Sequence, residues 1–392
     1  MTVRFRRWPS AVAALLAATL LAGCGGGADT SGSAGTASPA RPAEFSIDFV
    51  LDQTGVVQVF TGAVKEGWDL RIDQANQQGE LPGTTLRTRI HDTQSDPKVG
   101  AGLMSEVAAS DAPLAVFGTS SSIAPAVAPI AQSAGLPLVT LYSGGPGVVD
   151  AGDHVFRVTA PQSSYHHLQS AYFASEGVKR VAIVYNNDVG TLKNLAEEFY
   201  PEAAGKDGYE IVHSAGVSAK ATDLSAELTG VLAAKPDAVL MLVLSQQNTS
   251  IVTQLRRAAF PGIIAGQPGI GRQALEALGS AADGVVYPID FTADIAAPSG
   301  KAFAEAYRAR YNKDPDTFAA SGYDGATMVI EALKVTTGFD RESMLAALNK
   351  VAAAGFDGAV GPLRFENRDA RVAGMMVRWT EGREVPLNGT GG

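Results

Sequence analysis

Cysteine is almost absent: the 392-residue chain holds one, Cys24, so no intrachain disulfide can staple the fold and its stability has to come from buried apolar surface. Histidine is scarce too. The five, His91, His154, His166, His167 and His213, show no zinc spacing, and the adjacent His166 and His167 point to different faces of any helix that carries them. No G-x-S-x-G elbow or nucleophile–base pattern occurs, which argues against an anchored hydrolase and leaves a non-enzyme with neither metal nor cofactor. Positive charge is short as well: 31 Lys and Arg face 40 Asp and Glu, a net charge of −9. Arg4, Arg6 and Arg7 account for part of that positive charge at the extreme N-terminus, so the rest of the chain is more acidic still, and neither nucleic acid nor an anionic surface is an expected partner. Beyond the N-terminus no run approaches the roughly eighteen apolar residues of a membrane span.

What is present begins with a basic head followed by an apolar stretch over residues 11–21, too short for a stable span, and then by small residues. Residues 1–23 are thereby predicted to be a signal peptide. They end in Leu21-Ala22-Gly23-Cys24, which resembles the bacterial lipobox, so the resemblance implies a lipid on Cys24 and anchoring at the outer face of the cytoplasmic membrane or in the periplasm. Residues 24–43, rich in Gly, Ser, Ala and Thr without apolar periodicity, read as a flexible tether.

From Phe45 onward short β-branched runs alternate with longer amphipathic segments, the mark of parallel α/β architecture. Residues 45–51, 86–91, 114–117 and 136–141 read as strands of one series. Residues 155–158, 180–185, 210–213, 238–244 and 262–265 form a second, in which RVAIVY at 180–185 is apolar on both faces, as a doubly covered strand should be. So many strands suit two doubly wound lobes better than one long sheet. Three helices at 299–311, 318–335 and 341–353 follow without strands between them. Residues 360–365 and 371–379 are then predicted to close the chain as an antiparallel pair. A tail that supplies both lobes must cross between them more than once, and that makes a hinge.

The stretch that organises this pattern is FGTSSSIAPAVAPIAQSAGLPLVTLYSGG at 117–145. A strand breaks into Ser120, Ser121 and Ser122, whose oxygens are predicted to cap the helix behind them, and the next strand ends in Tyr142-Ser143-Gly144-Gly145. Two donor-rich turns at the carboxyl ends of parallel strands are where an open α/β sheet binds its ligand.

Together with LDQTGVVQVFTGAVKEGW, HDTQSDP, RVAIVYNNDVG, KPDAVLMLV and SGYDGA, in that order, this stretch resembles the type I periplasmic binding proteins, specifically the branched-chain-amino-acid-type substrate-binding proteins of ABC importers. The resemblance implies two parallel-sheet lobes joined by three crossovers, placed near Thr159, Asp290 and Gly355. The first lobe would be 44–159 plus 290–354 and the second 160–289 plus 355–384. It implies a monomer that closes on a small molecule and delivers it to a membrane permease; a ligand-sensing receptor of the same fold is the alternative. It also places a ligand carboxylate on Ser120, Ser121 or Ser122, with Ser121 foremost, and on Ser143, Gly144 and Gly145. Phe60 falls where an aromatic wall is expected, and Asp188, Val189, Gln246, Gln267 and Pro268 fall on the opposite lobe. One departure stands out: Pro268 occupies the position that aligns with the acid by which amino-acid binders hold an ammonium group. Burying an ammonium without a carboxylate costs several kcal/mol, so either Asp188 takes that role or the ligand lacks an ammonium. The second is preferred, which makes a small carboxylic acid or amide as expected a ligand as an amino acid.

Two motifs invite other readings. Gly269-Ile270-Gly271-Arg272-Gln273-Ala274 matches G-x-G-x-x-A, but it sits late in the second series behind a stiffening proline rather than in a first βα unit. Asp92 and Asp96 could do acid–base work, yet Thr93, Ser95 and Pro97 around them spell turn and cap chemistry. Tyr323-Asp324 reads as packing between elements.

Overall fold

The structure is a computed structural model, and it describes residues 41–55, 57–118, 120–294 and 296–387. The expected signal peptide, Cys24 and most of the expected tether lie outside these residues.

The first run of elements is β1 (Glu44–Leu51), α1 (Gln58–Gln78), β2 (Thr85–Asp92), α2 (Pro97–Ala109), β3 (Ala115–Gly118), α3 (Ala124–Ser133), β4 (Leu138–Leu141) and β5 (Val155–Arg157). The second is α4 (Gln162–Ser175), β6 (Arg180–Asn186), α5 (Gly190–Asn194), α6 (Tyr200–Asp207), β7 (Glu210–Val217), α7 (Ser225–Ala233), β8 (Ala238–Leu242), α8 (Ser245–Arg257), β9 (Ile263–Gly266), α9 (Arg272–Leu278) and β10 (Val286–Ile289). Three helices then follow, α10 (Pro298–Tyr311), α11 (Thr317–Val335) and α12 (Arg341–Ala354), before β11 (Phe356–Gly358), β12 (Gly361–Glu366), β13 (Asp369–Arg371), β14 (Met375–Thr380) and β15 (Arg383–Pro386).

Two sheets result. One has eight strands in the order β11-β12-β13-β5-β4-β3-β1-β2, the other seven in the order β15-β14-β10-β9-β8-β6-β7. The parallel cores, 5-4-3-1-2 and 10-9-8-6-7, reverse direction beside β1 and beside β6. At such switch points the loops leaving the carboxyl ends of the strands diverge and leave a crevice. Both sheets bury apolar strands on both faces, β3, β4 and β8 throughout, which explains why their sequences are continuous apolar runs rather than alternating ones. Trp68 and Trp379 are fully buried, one in the core of each sheet.

The chain end departs from the sequence expectation. Apart from Arg364 opposite Arg371, residues 360–365 and 371–379 do not pair with each other: β12 pairs with β11 and β13, and β13 joins the first sheet beside β5, while β14 pairs with β10 and β15 in the second. Residues 355–371, placed in the second lobe by sequence, therefore extend the first, and the third crossing lies at 372–374 instead of near Gly355. The physical reason is a free edge on each sheet, β5 on one and β10 on the other, and each takes up one hairpin. The buried Arg157 side chain in β5 makes two 2.6 Å bonds to the Asp369 carboxylate in β13, fixing that choice.

Two glycines set the geometry beside the crevice. A Cβ on Gly322 of α11 would lie 1.9 Å from the Val64 carbonyl oxygen of α1, and one on Gly67 of α1 the same distance from the Ala319 carbonyl oxygen. The two helices thus touch backbone to backbone. Their N-terminal ends bring Phe60 and Phe318 into a stack, with ring centroids 4.8 Å apart and an interplanar angle of 24°, worth about 1 kcal/mol beyond area burial.

Candidate functional site

A cavity of about 170 Å³ lies between the switch-point loops of the two sheets. From the first lobe come Phe60, Ser95, Ser120, Ser121, Ser122, Tyr142, Gly144 and Phe318. Thr159, Ala160, Gln162 and Tyr165 follow at the first crossing, and Val189, Leu192, Leu244, Gln267 and Pro268 belong to the second lobe.

The serines do not serve as the helix cap that their position predicted. Ile123 is the N-cap of α3 and makes no side-chain cap bond; backbone turns from Ile123 and Ala124 to the Ser120 carbonyl begin the helix instead. The Ser121 hydroxyl accepts from the Gly145 N–H at 3.2 Å, which leaves its own proton to donate. The Ser120 and Ser122 hydroxyls share one bond at 2.7 Å, which uses one proton and leaves the other. Two hydroxyl protons therefore remain for an anion. Behind them Arg157 donates to the Gly145 carbonyl at 2.8 Å and to that of Ser143 at 3.4 Å, anchoring the turn that carries Gly144.

The rest of the wall is neutral, with aromatic and aliphatic side chains beside the amides of Gln162 and Gln267 and the hydroxyls of Ser95, Thr159 and Thr191. Phe318 stacks on Phe60 and tilts against Tyr142, with centroids 4.3 Å apart. Tyr142 holds this place with φ at +48°, a left-handed conformation that a bulky side chain adopts only under constraint. Its hydroxyl lies buried beside Thr317 and makes no hydrogen bond of normal geometry. Burial, and then the negative Asp290 and Asp316 nearby, push it well above the usual tyrosine range, so it stays neutral. The Tyr165 hydroxyl donates to Asp290 at 2.5 Å. Asp290 is buried and its carboxyl is raised by desolvation, an effect that the hydroxyls of Thr317 and Tyr165 oppose. Among the described residues no charged side chain lines the cavity, Asp290 included.

Of the residues predicted from sequence, Phe60, Ser120, Ser121, Ser122, Gly144, Val189, Gln267 and Pro268 come together around this space. Four do not line it. Ser143 is buried and turns its hydroxyl back to the Leu141 carbonyl, and Gly145 supports Ser121 from behind. Asp188 is exposed, and its carboxylate accepts from the Ser218 hydroxyl and the Ala219 N–H; the turn closed by the Val189 N–H on the Asn186 carbonyl leaves Val189 to line the cavity. Gln246 sits on an outer groove with Ser225 and Thr249. Sequence reasoning passed over Tyr142, Gln162, Tyr165, Leu244 and Phe318. The signal for Tyr142 was an aromatic directly before a small-residue turn; Tyr165 and Phe318 carried none, since the hinge crossings decide where they point.

The family model described as "Periplasmic binding protein" matches residues 45–382. The chain belongs to the periplasmic binding protein family. With two lobes and two mixed sheets it is a type I member of the branched-chain-amino-acid type, a family of solute-binding proteins and not of enzymes. A Leu/Ile/Val-binding protein homolog of Brucella suis is 23% identical over 374 residues, covering 90% of this chain and 92% of that protein. Among solved structures, a branched-chain amino acid transporter substrate-binding protein of Streptococcus pneumoniae in complex with isoleucine superposes with a TM-score of 0.79 at 23% identity, over 88% of this chain and 99% of that one. A solute-binding protein of an R. palustris ABC transporter, in complex with benzoate, gives 0.80 at 20% identity, over 87% and 95%. In this periplasmic binding protein the Asp324 of SGYDGA does the packing work read from sequence, accepting from the Ala359 and Val360 N–H groups of the β11–β12 turn. Among the described residues no helix is long and apolar enough to cross a membrane, and no group of His, Cys, Asp and Glu could hold a metal.

Proposed function

We propose that this protein is the extracytoplasmic substrate-binding component of an ABC importer, and that its ligand is a small, ring-sized organic acid without an ammonium group. One observation carries the ligand class: among the described residues the cavity is lined by neutral groups alone, with spare serine hydroxyl protons on one wall and rings, aliphatics and a few amides and hydroxyls on the others. A carboxylate at the serine end gains charge-assisted hydrogen bonds of about 1.5 to 3 kcal/mol each. An ammonium would find neutral acceptors such as the unpaired Gln162 Oε1, but no carboxylate to offset its desolvation. The volume agrees, since apolar cavities of about 150 Å³ take up benzene. The benzoate held by the R. palustris protein supports the same class. Delivery to a permease, anchoring through a lipid on Cys24 and a monomeric state complete the reading; Cys24→Ala is expected to move the protein from the membrane fraction to the soluble one.

A thermal-shift panel tests the ligand class. Benzoate and its ring-substituted relatives are expected to raise Tm in a concentration-dependent way, with leucine, isoleucine and valine leaving it unchanged. Stabilisation by the amino acids and not by the acids would reject the proposal.

A further inference from the structure

Asp290 follows β10 at the second crossing and is 6% exposed. Its two oxygens go to different lobes. One accepts from the hydroxyl of Tyr165, in the first turn of α4, which packs on β10 and β14 of the second sheet; the other accepts from the hydroxyl of Thr317, the first residue of α11, which packs on α1 of the first lobe. Tyr165 lines the cavity. Thr317 directly precedes Phe318, the ring that stacks on Phe60 and tilts against Tyr142. A single carboxylate therefore fixes a cavity side chain on each side of the hinge while staying out of the cavity itself. A buried acceptor left with one donor too few, or a hydroxyl with nowhere to donate, costs about 1 to 3 kcal/mol, so both bonds are kept together or the hinge relaxes.

We infer that Asp290 is a positioning residue for ligand capture: it locks Tyr165 of one lobe and Phe318 of the other, through Thr317, into the single arrangement that closes around the ligand. The inference rests on the cavity described above being the ligand site. Its effect is preorganisation, in which ring placement is set before the ligand arrives and no ordering remains to be made on binding. It also makes the Tyr165 hydroxyl spend its proton on Asp290, so that end of the cavity offers no donor to a second anionic group, and the carboxylate is directed to the serine end.

Two readouts test it, on the full chain with benzoate as the probe. Calorimetric titration compares wild type, Asp290→Asn, Tyr165→Phe, Thr317→Val and Thr317→Ser. Thr317→Val and Asp290→Asn are expected to weaken benzoate binding about tenfold, and Thr317→Ser, which restores the hydroxyl but removes the methyl, to bind as wild type does. A packing role would give the opposite order for the two Thr317 variants, and that order would overturn the inference. Tyr165→Phe weakening binding while Asp290→Asn leaves it unchanged would make Tyr165 a direct ligand contact and would also overturn it. Hydrogen exchange of the ligand-free protein supplies the second readout: Thr317→Val and Asp290→Asn should each lose protection at the starts of both α4 and α11. Protection lost at one start only, or at neither, contradicts a shared clasp. If wild type does not bind benzoate, the ring-sized-acid reading fails, and the exchange result alone decides the role of Asp290.

Discussion

The two lobes meet the ligand with different chemistry. The first-lobe wall is built on rigid supports: helices α1 and α11 in backbone contact at Gly67 and Gly322, a ring stack at their ends, and a serine turn braced by Arg157. The second-lobe wall is built from Val189, Thr191, Leu192, Leu244, Gln267 and Pro268, with one amide and one hydroxyl among aliphatics. The difference separates two tasks. On the proposed reading, the first lobe would hold a ligand carboxylate with donors that cannot move away, and the second would select by shape and by the absence of charge, in loops where single replacements change little else.

The largest expected effect tests the rigidity of the first wall. Gly322→Ala forces a Cβ to within 1.9 Å of the Val64 carbonyl and should cost about 3 kcal/mol, read as a lowered urea midpoint by circular dichroism. Gly205→Ala, in α6 of the second lobe with open space around it, should instead be neutral or gain up to about 1 kcal/mol. Equal losses at both sites would erase the contrast. Next in size, Gln267→Glu places a carboxylate in the second-lobe wall, where Gln267 is 6% exposed. It should weaken benzoate roughly a hundredfold and give leucine a measurable affinity, both read by calorimetry. Ser121→Ala removes a spare proton and the acceptor for the Gly145 N–H, for a loss of about tenfold in carboxylate affinity with little change in Tm.

Stability against pH should also separate the lobes. Burial pushes the Asp324 carboxyl, inside the first lobe, up to about 8 in spite of the Ala359 and Val360 N–H groups. Its folded-state pKa lies above the unfolded value of 3.8, so its contribution is fully present below about 4 and is lost as pH rises toward 8. The urea midpoint should therefore fall between pH 5 and pH 8, and Asp324→Asn should flatten that slope. The smallest expected effect is at Asp188, whose carboxylate is committed to Ser218 and Ala219. Asp188→Asn should change ligand affinity less than about twofold, and a larger loss would return it to the site.

Legibility in the sequence followed the range of the interactions involved. RVAIVY at 180–185 announced a doubly covered strand because burial on both faces is a local demand, and the order of the βα loops was enough to bring Ser120–Ser122 and Gln267-Pro268 toward one crevice. Residues 356–371 were misplaced because a short hairpin with alternating burial fits either lobe, and only the free edge of β5 with its Arg157–Asp369 pair decides. Tyr165 and Phe318 reach the cavity because Asp290 ties α4 and α11 across the hinge, a link between residues more than a hundred positions apart. The serines were read as a cap on local grounds. Backbone turns supply the cap instead, and that leaves their hydroxyls to the ligand.

The central claim is that the cavity accepts a carboxylate and rejects an ammonium. Calorimetric titration with matched pairs that differ only in the α-ammonium group, 3-phenylpropanoate against L-phenylalanine and 4-methylpentanoate against L-leucine, tests it most directly. The neutral lining predicts that within each pair the acid without the ammonium binds at least about a hundredfold more tightly, the cost of burying an unpaired charge. Tighter binding of L-leucine or L-phenylalanine than of its deaminated partner would contradict it.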